Sequence, residues 1–156
     1  MRRADREITA ASEIDEILSR ADACRVALVD GQEPYIVTLN YGFRREGARV
    51  ILYFHCANEG RKLDIIRTNP RACFCVDVDH ILVEGGNGCG WGMKYSSVVG
   101  FGQLDIVTGE RKREEGLQAL MEHYSGRTGF SFDPQVLSAT TVLRFTAERV
   151  TGKKRI

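Results

Sequence analysis

The chain has 156 residues, 43% of them hydrophobic and 28% charged, with three prolines and a formal net charge of +1. That length fits one domain able to bury roughly 68–70% of its unfolded surface, so no staple is required, and the composition excludes a disordered chain. The near-zero charge offers no general attraction to nucleic acid or to a membrane surface, which leaves any binding to a local site.

The N-terminal run MRRADREITAASEIDEI has no apolar core of a signal peptide, and no stretch approaches the roughly 18 apolar residues of a membrane span. A cytoplasmic protein is expected, with neither membrane nor nucleic acid as a partner. Glu13 to Arg20, capped at Ser12, reads as a short amphipathic helix with Ile14, Ile17 and Leu18 on one side, placed over a barrel end. Cys24 to Val29 is a first strand, Asp30-Gly31 a turn, and Tyr35 to Phe43 a second, antiparallel strand. In it Tyr35, Val37, Leu39, Tyr41 and Phe43 share one face, and Ile36, Thr38, Asn40 and Gly42 the other. The second face is semi-polar: it suits either a solvated barrel exterior or a ligand rich in carbonyl and N–H edges.

A third strand runs from Arg49 to His55. Its segment Val50 to Phe54 is continuously apolar, as for a strand covered on both faces. After it, Asn58 is a candidate N-cap, Leu63 and Ile66 give a buried stripe, and Asn69-Pro70 ends the helix, which is expected to begin near Glu59. Arg61 and Lys62 then fall in the first turn, where the macrodipole and unpaired N–H groups already make the potential positive. Cations there are unfavourable by roughly 0.3–1 kcal/mol each unless an anion sits among them. A phosphate would resolve the conflict, with Gly60 allowing close backbone approach; alternatively both side chains point into water.

Ala72 to Val78 is another strand. The connection from Ile81 to Gly92 contains GGNGCGWG, but a dinucleotide-binding glycine loop needs a helix after it. Here a long strand follows, Met93 to Val107. Gly100 and Gly102 share a face of it, as where a barrel bends or another backbone comes close. Glu110 to Tyr124 is a helix whose stripe of Leu117, Leu120, Met121 and Tyr124 is assigned to the core. A short element near Pro134 to Ala139 precedes the last strand, Thr141 to Val150, and the basic end GKKRI is read as a solvated tail. Five cysteines fit neither a disulfide framework nor usual zinc spacing. A metal site built from Cys73 and Cys75 with His55 or His80 is a further option, though no metal is assigned.

Six strands joined mostly by turns point to a mainly β protein, an antiparallel barrel with peripheral helices in a single domain. Weak alternation along several strands implies a partner subunit covering one face.

The segments PYIVTLNYGF, LYFHCANEGRKLDIIRTNPR, WGMKYSSVVGFGQ, ALMEHY and VTGKK resemble the nitroimidazole-reductase-like branch of the pyridoxamine 5'-phosphate oxidase family. The resemblance spans Arg2 to Lys154 and implies a homodimeric six-stranded antiparallel split β-barrel with FMN between the subunits. It implies that Arg61 and Lys62 hold the phosphate and that Val37, Thr38, Leu39 and Asn40 run along the isoalloxazine edge. His55 matches the family histidine beside the flavin. Ser97 and Val98 fall in the strand segment next to the cofactor, and Trp91 is a lid. Basic residues for a second phosphate are missing, which argues against vitamin B6 oxidation. The expected activity is an FMN-dependent oxidoreductase acting on a small molecule, with His55 as proton donor. The alternatives are a non-catalytic flavin-binding or sensing protein, or a split barrel that takes haem or a deazaflavin.

Overall fold

Strand segments in which every second side chain is apolar can bury one face and leave the other free, and that rule builds most of this molecule. The computed structural model describes residues 3–155. Its elements are β1 (Glu7–Ile8), α1 (Ala11–Arg20), β2 (Cys24–Asp30), β3 (Glu33–Leu39), β4 (Gly42–Glu46) and β5 (Arg49–Ala57). They continue with α2 (Arg61–Thr68), β6 (Arg71–Val83), β7 (Gly92–Ile106), α3 (Glu110–Ser125), α4 (Pro134–Ser138) and β8 (Thr140–Arg155).

All strands belong to one antiparallel sheet in the order β3-β2-β6-β7-β8-β5-β4, with β1 added to β8. β3 and β4 lie at opposite ends of this order, yet only Asn40 and Tyr41 separate them in sequence. The sheet must therefore roll until its two edges converge at that corner. Among the described residues no ladder joins the edges, so the barrel is split rather than closed. Eight strands replace the six expected. The run Tyr35–Phe43 divides at Asn40-Tyr41, and the two-residue β1 carries too short a pattern to be read.

The barrel interior is filled by Val26 and Leu28 of β2, Leu52 and Phe54 of β5, Phe74 of β6, Val98 and Leu104 of β7, and Leu143 and Phe145 of β8. Phe74 and Phe145 meet edge to face, 5.2 Å between centroids. Each such side chain contributes roughly 1.5–3 kcal/mol by leaving water. α1 plugs one end through Ile17 and Leu18; Arg45 Nε holds it by donating to Asp15 at 2.8 and 2.9 Å, and the Tyr41 hydroxyl donates to the Leu18 carbonyl. The helix has no side-chain cap, since Ser12 lies inside it and Ala10 takes the cap position.

β5 is covered on both faces, as its apolar run requires. On the outer face α3 of the same chain packs against it. Gly116 faces Tyr53 and Val142, and the α3 backbone lies so close to β4 that a Cβ on Gly42 would sit 2.3 Å from the Ala119 carbonyl carbon. The buried side of α3 is therefore Gly116, Ala119 and Leu120. Gly102 lies against the Thr146 backbone at a register shift, as expected for a bend and a close backbone approach, whereas Gly100 makes room for the Phe74 ring instead. The basic end is strand rather than solvated tail: β8 runs to Arg155, and Lys154 pairs with Glu13 at 2.7 Å. The Ile81–Gly92 connection is partly strand too, with Ile81–Val83 paired to Gly92–Lys94.

Candidate functional site

The turn between β5 and α2 leaves a helix start open. Gly60 takes the cap position with φ +131° and ψ 158°, a conformation open in practice only to glycine, and a Cβ there would meet nothing within 4 Å. No side chain caps the helix. Asn58, the expected cap, is engaged elsewhere: its Nδ2 donates to the Ser138 carbonyl at 2.8 Å and its Oδ1 accepts from Thr141 Oγ1 at 2.8 Å. The helix consequently begins at Arg61 rather than near Glu59, and no side chain caps its leading N–H groups.

Arg61 and Lys62 both bend back onto the sheet. Arg61 donates from Nε to Asp30 Oδ2 at 2.9 Å, with Nη2 2.8 Å from the same oxygen, and its guanidinium lies over the Tyr35 ring. Lys62 is half-buried beside the Cys56 thiol. Burial raises the Cys56 pKa, and the neighbouring ammonium opposes that shift without cancelling it. Two cations and a run of N–H groups thus meet at one open helix end, the chemistry of an anion cradle.

β3 leads away from this cradle. It is an edge strand, paired to β2 on one side only, so its other edge presents backbone N–H and C=O groups. Tyr35, Val37 and Leu39 pack toward the core, whereas Ile36, Thr38 and Asn40 are exposed. From Tyr35, beneath Arg61, to Asn40 the strand spans about 17 Å.

At Asn40 the edge reaches His55, which points outward from β5 and is exposed. His80 is paired with Asp77 at 2.6 Å and His123 is hydrogen-bonded to the Ala21 carbonyl at 2.9 Å. His55 makes no hydrogen bond among the described residues, so it is not a histidine tied down inside the barrel. With Asn40 it borders an apolar groove of about 250 Å³ lined by Leu117, Leu120, Met121, Tyr124 and Phe132. Most of the α3 stripe assigned to the core lines this groove instead, because the small residues Gly116 and Ala119 let the adjacent helix face approach the sheet. Phe132 carried no sequence signal. Tyr124 locks the groove's rim: its hydroxyl donates to the Asp22 carbonyl at 2.8 Å and accepts from Tyr41 N–H at 3.1 Å and Asn40 Nδ2 at 3.2 Å.

The structure does not bring Trp91, Ser97 and Val98 to His55 within one chain. His55 is opposite Val142 and Ser97 opposite Lys153, eleven residues further along β8, or about 36 Å of extended strand. The Val98 side chain is wholly buried in the core, and β7 is paired on both sides. Ser97 is half-buried, and Trp91 is exposed beyond the barrel. Among the described residues no three His, Cys, Asp or Glu side chains gather as a metal site, all five cysteines are free, and no helix is long and apolar enough to cross a membrane.

Residues 10–154 match the sequence profile of the pyridoxamine 5'-phosphate oxidase family. No curated protein matches the chain. Among solved structures the chain is similar to a candidate 5-nitroimidazole antibiotic resistance protein from Bacteroides thetaiotaomicron, with 26% identity and a TM-score of 0.82 over 95% of this chain and 86% of that one. The flavocytochrome Anf3 from Azotobacter vinelandii gives 18% identity and a TM-score of 0.80, covering 100% of this chain and 72% of its own. An FAD- and heme-binding protein from Mycobacterium smegmatis gives 23% and 0.80, covering 96% and 73%. At those two identities the likeness is one of fold.

Proposed function

The chain belongs to the pyridoxamine 5'-phosphate oxidase family, and from that premise we propose that it binds FMN and works as a flavin-dependent, nitroreductase-like oxidoreductase on a small molecule. The observation that carries this reading is the uncapped start of α2, where Gly60, Arg61 and Lys62 form a cradle continuous along β3 with His55. The residues fit the cofactor. Arg61 and Lys62 would hold the phosphate, exchanging the weak Asp30 and Cys56 contacts for charge-assisted hydrogen bonds. The free edge at Val37, Thr38, Leu39 and Asn40 would meet the polar rim of the ring system. Bound flavin would supply the hydride or electron chemistry.

His55 sits where the edge of β3 opens into the apolar groove, placed to give a proton to a substrate lying there. Apart from His55 the groove carries no basic side chain, with neither Lys nor Arg in its lining, which favours an uncharged planar substrate over a phosphorylated one.

A homodimer completes the reading, with Ser97 and Trp91 supplied by the partner subunit. The chain exposes 9295 Å², whereas a compact 17.5 kDa monomer exposes roughly 7,900 Å². That excess, about 1,400 Å², is more than the roughly 800 Å² each partner gives to a standard interface.

The absorption spectrum and mass of whatever small molecule copurifies provide the test, in wild type and in an Arg61→Ala, Lys62→Ala variant. Two bands in the near-ultraviolet and blue with the mass of FMN are expected from wild type and not from the variant. A single intense violet band would mean haem, the mass of FAD would correct the nucleotide, and colourless protein that refuses added FMN would overturn the proposal.

A further inference from the structure

Residues 126–133 join α3 to α4 without regular structure. Both ends are fixed. Gly126, at φ +65°, closes α3 in the left-handed conformation, its N–H donating to the Glu122 carbonyl at 2.9 Å. Asp133 caps α4 by accepting from the Gln135 and Val136 N–H groups at 2.8 and 3.3 Å, and α4 is held in turn by buried Leu137 and by the bond from Asn58 to the Ser138 carbonyl. Between these anchors, among the described residues, no backbone–backbone hydrogen bond holds 127–132. Past a local turn in which the Ser125 hydroxyl bonds Arg127, one side chain holds the segment down. Gln118 of α3 takes both backbone groups of Phe130, its Oε1 accepting from the N–H at 3.1 Å and its Nε2 donating to the carbonyl.

This segment carries one wall of the groove beside His55. Leu117, Leu120, Met121 and Tyr124 stand on α3, His55 stands on β5, and Asn40 is pinned by the Tyr124 hydroxyl. Phe132 alone rides on backbone that neither a helix nor a ladder fixes. The groove measures about 250 Å³, below the roughly 300–1,000 Å³ of sites that enclose a small molecule. To enclose a ring it must widen, and the wall free to move without breaking regular structure is Phe132. Gly126 and Gly129, at φ +65° and +78°, supply backbone that can change its dihedrals at little steric cost, as a hinge requires.

We propose that 126–133 is a strap that opens on Gly126 and Gly129 to admit an uncharged aromatic ring and closes to lay Phe132 against that ring beside His55, with Gln118 as the latch. Phe132 then selects the ring by its width, and Gln118 is a positioning residue that acts through Phe130. The inference rests on the reading of the groove as the substrate side of the site, and deepens it by placing substrate selection on this strap.

Trypsin acting on the purified full-length protein reads the strap directly, because the Arg127–Thr128 bond lies within it and Arg127 is exposed. Cleavage needs local opening, so the rate of appearance of fragments 1–127 and 128–156 by mass reports how often the strap lifts. Gln118→Ala should speed this cut several-fold while cuts elsewhere keep their rates, and Gln118→Glu, which keeps the acceptor for the Phe130 N–H and loses the donor, should fall between. Nitrobenzene should slow the cut several-fold in wild type and not in Phe132→Ala. Phe132→Leu, which keeps an apolar wall, should bind nitrobenzene several-fold more weakly than wild type at an unchanged urea midpoint. A cut indifferent to Gln118→Ala, or a rise shared by every site, overturns the latch. A wild-type cut that nitrobenzene leaves alone, or equal affinity in Phe132→Leu, overturns the closure. None of these readouts requires flavin: a colourless protein with the expected pattern removes the flavin reading and keeps the strap, and a yellow protein whose Arg127 cut ignores both Gln118 and nitrobenzene does the reverse.

Discussion

The guanidinium of Arg61 lies 5.0 Å from the centre of the Tyr35 ring, which fixes the first residue of α2 over the beginning of β3. The contact is cation–π in character, worth roughly 0.5–1 kcal/mol at an exposed site, and it pre-orients Arg61 at the mouth of the helix. Replacing both Arg61 and Lys62 by alanine should weaken FMN binding at least ~100-fold, from two lost charge-assisted hydrogen bonds of about 1.5–3 kcal/mol each. Titration followed by flavin fluorescence reads this, and an unchanged affinity would remove the phosphate from the cradle.

Asp30 competes with that phosphate for Arg61. Their ion pair is exposed, and such pairs are worth about 0–1 kcal/mol. Asp30→Asn should therefore tighten FMN binding, by no more than ~5-fold. A weaker complex would mean that the carboxylate positions the arginine rather than competing for it.

His55→Ala should leave flavin affinity within a few fold of wild type, since the imidazole lies at the groove end of the edge and not in the cradle. Reoxidation of the reduced protein by a nitroaromatic acceptor should slow by roughly 10²–10⁴-fold, the range for a lost general acid. Stopped-flow absorbance is the measurement, and equal rates would end the proton-donor assignment.

Gly42 carries the closest approach between α3 and the sheet, where an added Cβ would be 2.3 Å from the Ala119 carbonyl carbon and 2.4 Å from the Leu120 nitrogen. Backbone cannot rotate aside as a side chain can. Gly42→Ala should cost about 1–3 kcal/mol or more in urea denaturation, whereas Gly86→Ala, with nothing within 4 Å of its Cβ, should stay within ~0.5 kcal/mol of wild type.

His123 is held neutral-leaning by burial, which lowers its pKa from 6.5 despite the Ala21 carbonyl and the charge of Asp22. Its ring packs 4.5 Å from Tyr41 and 4.7 Å from Tyr124. A histidine with a lowered folded pKa takes up a proton more readily when unfolded, so its contribution to stability is present above pH 6.5 and lost as pH falls below it. Wild type should accordingly lose more stability between pH 7.5 and 5.0 than His123→Gln, as urea midpoints at the two pH values would record; identical losses would exclude this residue as the source.

Much of this was written in local pattern. The cation pair at a helix start conflicts with helix electrostatics in a window of a few residues, and Arg61 and Lys62 do open α2 without a side-chain cap. Strand faces such as Cys24, Val26 and Leu28 were legible because a period of two survives in sequence whatever the neighbours are. Other features were hidden for definite reasons. The corner at Asn40-Tyr41 keeps the alternation running from Tyr35 to Phe43, so the chain turns without breaking its pattern. Tyr41 is buried there by α1, an element distant in sequence.

By itself the sequence determined the antiparallel strands, the helices between them and the charged start of α2, because propensity, periodicity and the helix dipole act over one or two turns of chain. Only the tertiary structure decided that Leu117, Met121 and Phe132 line an open groove with His55, and that Trp91 and Ser97 lie at the far end of the barrel from it. Which stripe of α3 meets the sheet depends on Gly42 and Gly116 admitting a backbone at close range. That is a steric fact about two distant segments, and no local rule contains it.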